Sequence, residues 1–108
     1  MANSRIVNTP SQAIPQYGTV HKQNTISSTA ELVIDWTLAA DTQHVLVQVT
    51  GADLRVTFDG TTTPTTSLGF RFPSNSSAYW TRTMATKAKA IREGGTDVVV
   101  EMQELNYL

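Results

Sequence analysis

The sequence predicts an all-β fold, a small antiparallel β-sandwich or jelly-roll-like barrel with an extended N-terminal arm. Three observations predict it. Residues 43–72, QHVLVQVTGADLRVTFDGTTTPTTSLGFRF, alternate apolar and polar side chains in three runs, the period of half-buried antiparallel strands. Turn-forming residues recur between such runs, giving about seven short strands spaced roughly ten residues apart. Threonine is abundant, and β-branched side chains sit well on a pleated, half-exposed surface.

The arm comprises residues 1–30 and the β-domain residues 31–108. The first 30 residues carry Pro10, Pro15, Gly18 and many Ser, Thr, Asn and Gln, with isolated apolar residues Ile6, Val7, Ile14, Tyr17, Val20 and Ile26. No period holds for long there, so only short strand pieces are expected, such as Arg5 to Asn8 and Thr19 to His21. Ordering about 30 backbone residues costs on the order of 30 kcal/mol, which corresponds to roughly 1,200 Å² of apolar burial. An ordered arm must therefore lie on a surface: its own domain, another copy, or a different protein. Its six apolar residues are the candidate contacts.

From Glu31 the strand signals run on. Leu32, Ile34, Trp36 and Leu38 alternate with Val33, Asp35 and Thr37, and Ala39 to Thr42 make a break. Val45, Val47 and Val49 then share a face. Gly51 can take positive φ in a tight hairpin leading to Leu54, Val56 and Phe58, opposite Arg55 and Thr57. Asp59-Gly60 opens a threonine-rich loop around Pro64 that closes at Gly69, before Phe70 and Phe72 flank Arg71. A polar loop, Pro73 to Ser77, precedes Ala78 to Met84. Residues 84–93 suit a short helix on propensity, but the alternation of Ala88 and Ala90 with Lys87, Lys89 and Ile91 favours a strand. A hairpin through Gly94-Gly95 is expected to join it to a last strand with Val98, Val100 and Met102 on one face.

Composition excludes several function classes. A chain of 108 residues supports one small domain burying roughly 60–68% of its unfolded surface. A formal charge of −1, with eight Lys and Arg that are mostly scattered, argues against nucleic acid as a partner. Without cysteine there is no disulfide, thiolate nucleophile or thiolate ligand. No segment approaches the roughly 18 apolar residues of a membrane span, and no signal-peptide pattern opens the chain. The expectation is a protein made and kept in water, with no membrane partner.

No catalytic or cofactor motif stands out. His21 and His44 have no carboxylate at ligand spacing, and Asp53 and Asp59 are better explained as turn formers than as calcium ligands. No serine stands in a nucleophile context, and Gly94-Gly95 is too short for a phosphate loop. The chain reads as a non-enzyme without metal or cofactor. Tyr79 and Trp80 must face opposite sides of a strand, so one fills the core while the other is free for a subunit contact or for stacking on a sugar. Lys87, Lys89 and Arg92 form a basic cluster, a solvated strand face unless it meets acidic residues of a partner.

The segment RVTFDGTTTPTTSLGFRF, with Arg55, Asp59-Gly60, Pro64-Thr65 and Gly69 in order, resembles a pattern of small all-β virion structural proteins of tailed bacteriophages. The resemblance covers residues 43–103; Thr61 to Thr63 lengthen the turn relative to it. It implies a capsid decoration or cement protein, made in the host cytoplasm and placed on the capsid exterior of the virion. Such a protein would bind the major capsid protein as a homo-oligomer, a trimer or dimer, and stabilise the shell through its β-domain and arm. A head–tail junction or tail component, or a carbohydrate- or receptor-binding module on the tail, is the alternative.

Overall fold

The computed structural model describes residues 15–107. They form eight strands: β1 (Pro15–Ile26), β2 (Glu31–Leu32), β3 (His44–Thr50), β4 (Leu54–Thr57), β5 (Phe70–Phe72), β6 (Ser77–Thr81), β7 (Lys89–Arg92) and β8 (Val98–Tyr107). One short helix, α1 (Arg82–Lys87), lies between β6 and β7. The strands make two four-stranded antiparallel sheets, ordered β1-β8-β3-β6 and β2-β7-β4-β5, with the core between them. The fold is thus the all-β sandwich that the alternation predicts.

The alternation works because one phase of each strand faces the other sheet. Val45, Val47 and Val49 of β3 and Val98, Val100 and Met102 of β8 are all at most 1% exposed. Leu54, Val56 and Ala90 meet them from the second sheet, fully buried. Trp80 fills the space towards β5, its ring edge-on to Phe58 at 5.1 Å and to Phe72 at 5.7 Å between centroids.

Pairings β1·β8, β2·β7, β3·β6 and β4·β5 are those of one long hairpin, four strands out and four back, folded over on itself. Every connection except β4–β5 therefore changes sheet. This corrects two expected hairpins. Gly51 does take positive φ, at +90°, but it turns the chain from β3 into the other sheet. Gly94-Gly95 likewise joins β7 to β8 across the sandwich. Turn chemistry is the same whether the next strand pairs with the last or crosses over it, so composition alone did not distinguish them.

Three further expectations change. Residues 15–26 of the arm are a strand of the first sheet, paired along β8, and Ile26 is fully buried in the core. The body thus begins before residue 31. Residues 31–38 form strand pairs only at Glu31 and Leu32; Val33 is buried beside Ile34 while Leu32 is 44% exposed, which breaks the alternation, because the segment bends across the end of the sandwich. Residues 84–93 divide. The first part is helical because Thr81 Oγ1 accepts the Met84 N–H at 3.2 Å and Ala85 buries against the core, while Lys89 to Arg92 is strand.

The loops sort to two ends. At one lie the 33–43 segment, the 58–69 loop and α1, together with the start of β1; at the other lie residues 27–30, 51–53, 73–76 and 93–97.

Candidate interaction site

The outer face of the first sheet carries a row of side chains, Tyr79, Leu46, Gln103 and His21, contributed by four adjacent strands through direct cross-strand register. Tyr79 is 61% exposed because its neighbour Trp80 takes the inward phase. A parallel row holds Gln48, Glu101 and Gln23. His21 donates through Nε2 to Glu101 at 2.7 Å and through Nδ1 to Gln103 at 3.0 Å, and Gln23 donates to the other Glu101 oxygen. Both ring nitrogens facing oxygens favours the imidazolium. The Glu101 bond, with that of Gln103, raises the His21 pKa, and the same His21 bond lowers that of Glu101.

The 58–69 loop is built by the residues that carry the virion resemblance. Asp59 accepts from Thr62 Oγ1 and from the Thr61 and Thr62 backbone N–H groups at 3.0 and 2.8 Å, and these bonds, the Thr62 hydroxyl's first, bring its pKa down to about 2. Arg55 donates to the Gly69 carbonyl at 3.1 Å. Gly69 sits at φ +127° with its missing Cβ only 3.0 Å from the Val56 carbonyl oxygen, so glycine is required there. Arg55 and Arg71 converge on Glu93 Oε1 at 3.1 and 3.0 Å, and Arg71 also reaches Asp53 at 2.5 Å. Arg55, Asp59 and Gly69 of the motif thus each have a structural role.

That loop also walls an apolar groove of about 560 Å³ with Val56 as its floor and Phe58, Leu68 and Phe70 around it. Phe70 lies opposite Val56 in register and faces the core side, yet it is 66% exposed because nothing among the described residues covers the sandwich mouth beside β5. The alternation puts Phe70 and Phe72 on one face, but does not reveal that this face is left open at the edge.

At the same end, Glu104 is 1% exposed on the inward phase of β8. It accepts from Trp36 Nε1 at 3.0 Å, Ala39 N–H at 2.9 Å and Thr42 Oγ1 at 2.5 Å, while Arg82 donates to the Ala39 and Thr42 carbonyls at 2.8 Å each. Burial pushes its pKa up, but the bonds from Thr42, Trp36 and Ala39 and the charge of Arg82 outweigh burial and leave it lowered. An acid in phase with Val98, Val100 and Met102 was the available signal for this group.

The other candidate residues are dispersed. Ile6, Val7 and Ile14 lie outside the described residues. Tyr17 and Val20 are in β1, Val20 half-buried. Trp80 is core, not surface. The basic cluster separates: Lys87 ends α1 and is exposed, Lys89 starts β7, and Arg92 is at the opposite end of β7, half-buried and paired with Asp97 at 2.5 Å. No group of three or more His, Asp or Glu side chains among the described residues could hold a metal ion. No family model, curated protein or solved structure matches the chain.

Proposed function

We propose that this chain is a non-enzymatic structural protein of a tailed-phage virion, a cement protein that binds the outside of the major capsid protein shell as a homo-oligomer. The observation that carries the reading is the β4–β5 loop. Four positions of the virion-like pattern, Arg55, Asp59, Gly60 and Gly69, help to shape it: Arg55 bonds the Gly69 carbonyl, Asp59 caps Thr61 and Thr62, and both glycines take positive φ. A motif with residues that brace a loop suits a protein whose work is mechanical. The long-hairpin pairing of the two sheets, read as an eight-stranded jelly roll, supports the same assignment. The outer face of the first sheet offers the shell contact: a rigid four-strand surface with exposed Tyr79 among hydrogen-bonding side chains. Contacts repeated over a shell act together even where each is weak.

The test is co-sedimentation of the purified chain with shells of the particle that lack it. The wild type pellets with the shells and Tyr79→Asp stays in the supernatant; wild-type protein that never pellets overturns the reading.

Exposed Tyr79, in one row with Gln103 and His21 across Leu46, also favours a second reading, a glycan-binding face on a tail component, with the ring as the stacking surface. A glycan screen distinguishes the two, since only this reading predicts a hit that Tyr79→Ala abolishes.

A further inference from the structure

We propose that His21 is a proton-controlled latch on the first residues of β1: its imidazolium holds residues 15–20 against β8, and its neutral form lets them go. The inference goes beyond the reading above and does not depend on it. β1 pairs with β8 in two parts, residues 15–17 with 105–107 and residues 21–26 with 98–103. Between them Gly18, Thr19 and Val20 stand opposite Glu104 alone, a bulge that interrupts the ladder. The first part has only three residue pairs of its own, and it begins with a proline that has no N–H to contribute.

The Gln103 side chain bridges the interruption. Its Nε2 donates to the Gly18 carbonyl at 3.1 Å and to the Glu104 carbonyl at 3.2 Å, where the backbones lie so close that a Cβ on Gly18 would be 3.0 Å from the Glu104 oxygen. With its nitrogen committed to two carbonyls, the amide must accept from the ring, and its Oε1 faces His21 Nδ1 at 3.0 Å. His21 is the first paired residue after the bulge, and its Nε2 donates to Glu101 at 2.7 Å.

Neutral imidazole carries one N–H, which cannot serve both oxygens. Left on Nε2, it keeps the charge-assisted bond to Glu101, but the Nδ1 lone pair then meets Gln103 Oε1. The other tautomer would set a lone pair against the Glu101 carboxylate, a costlier clash, so the proton stays on Nε2. Turning the Gln103 amide to donate to Nδ1 puts its oxygen against the Gly18 and Glu104 carbonyls. Loss of the ring proton thus undoes the bond that fastens the bulge.

Glu101 is the charge that faces the ring from β8, and Gln23, beside it on β1, bonds the same carboxylate. On β3 the neighbouring residues of this face are Leu46 and Gln48, with His44 one row further on, and Tyr79 of β6 ends the row. The second part of β1 is held independently of the ring. On its opposite face Lys22 lies over the Trp36 ring at 5.8 Å, and Asn24 donates to the Val33 carbonyl at 2.9 Å. Release therefore stops at the bulge and adds residues 15–20, roughly 20 Å of extended backbone, to the chain ahead of the first fixed pair.

Amide hydrogen exchange of the full chain, resolved by residue with NMR between about pH 5 and 9, tests the latch. Protection of residues 16–20 is expected to fall as the His21 ring loses its proton, about tenfold for each pH unit by which the measured ring pKa exceeds the ordinary 6.5, while residues 22–26 hold theirs. His21→Gln is expected to remove the pH dependence. Gln103→Leu keeps a titrating ring beside Glu101 but is expected to leave residues 16–20 poorly protected at every pH. Protection of residues 16–20 that stays constant through the ring's titration, or that falls equally in residues 22–26, overturns the proposal. So does a pH response of wild-type size in either variant.

Discussion

Glu104 accepts the indole N–H of Trp36 at 3.0 Å from the buried face of β8, and so fastens the 33–43 segment across one end of the sandwich. Ala39 and Thr42 bond the same carboxylate, and Arg82 at the start of α1 closes the arrangement from the other side through their carbonyls. A two-residue β2 cannot hold that segment by backbone pairing, so a buried acid does it instead.

Removing this carboxylate should be costly. Glu104→Leu leaves an indole N–H, a backbone N–H and a hydroxyl without their acceptor, and is expected to lower stability by about 3–5 kcal/mol. Glu104→Gln keeps one acceptor oxygen and should lose roughly half as much. Urea unfolding measures both, and a loss below about 1 kcal/mol for Glu104→Leu would show that the segment is held otherwise.

Acid should act through the same group and through Asp59. Both have lowered folded pKa values, so their contributions are present above the unfolded carboxylate pKa, roughly 4, and vanish as pH falls through the folded values, about 2 for Asp59. His21 has the opposite sign: its raised pKa gives a contribution complete below about 6.5 that disappears as pH rises through the folded value. Unfolding free energy followed from pH 2 to 9 is expected to decline at both ends. Glu104→Gln should flatten the acid limb, and His21→Gln the limb above neutrality.

The two kinds of glycine should respond differently. Gly69→Ala places a Cβ 3.0 Å from the Val56 carbonyl oxygen at φ +127° and is expected to cost about 2 kcal/mol or more. Gly94→Ala meets nothing within 4 Å and should stay within about 0.5 kcal/mol of the wild type. Thermal melts of the two variants side by side check the contrast.

Tyr79 and Trp80 separate surface from core. Trp80→Ala opens a cavity between the sheets and is expected to cost about 3–5 kcal/mol, whereas Tyr79→Ala should fall within about 0.5 kcal/mol of the wild type while weakening partner binding. Denaturation curves that rank the pair the other way would mean the strand faces are exchanged.

The sequence was legible where one physical rule acted alone. Val45, Val47, Val49, Val98, Val100 and Met102 alternate because each strand has one wet and one dry face, and all are in the core. It was less legible where rules competed. At Met84 to Ala90 helix propensity and two-residue alternation both applied, and the Thr81 cap decided where one gave way to the other. In Pro15 to Ile26 the polar residues that read as an arm are those of an edge strand, whose contacts with β8 are long-range pairings invisible to local pattern. The groove at Phe70 depends on what the three-dimensional edge leaves uncovered, which no periodicity encodes.

The cement-protein account is tested most directly by stoichiometry: quantitative mass spectrometry of the chain relative to the major capsid protein in purified particles. The account predicts copy numbers close to that of the shell protein. A small ring's worth of copies, or absence from the particle, would contradict it.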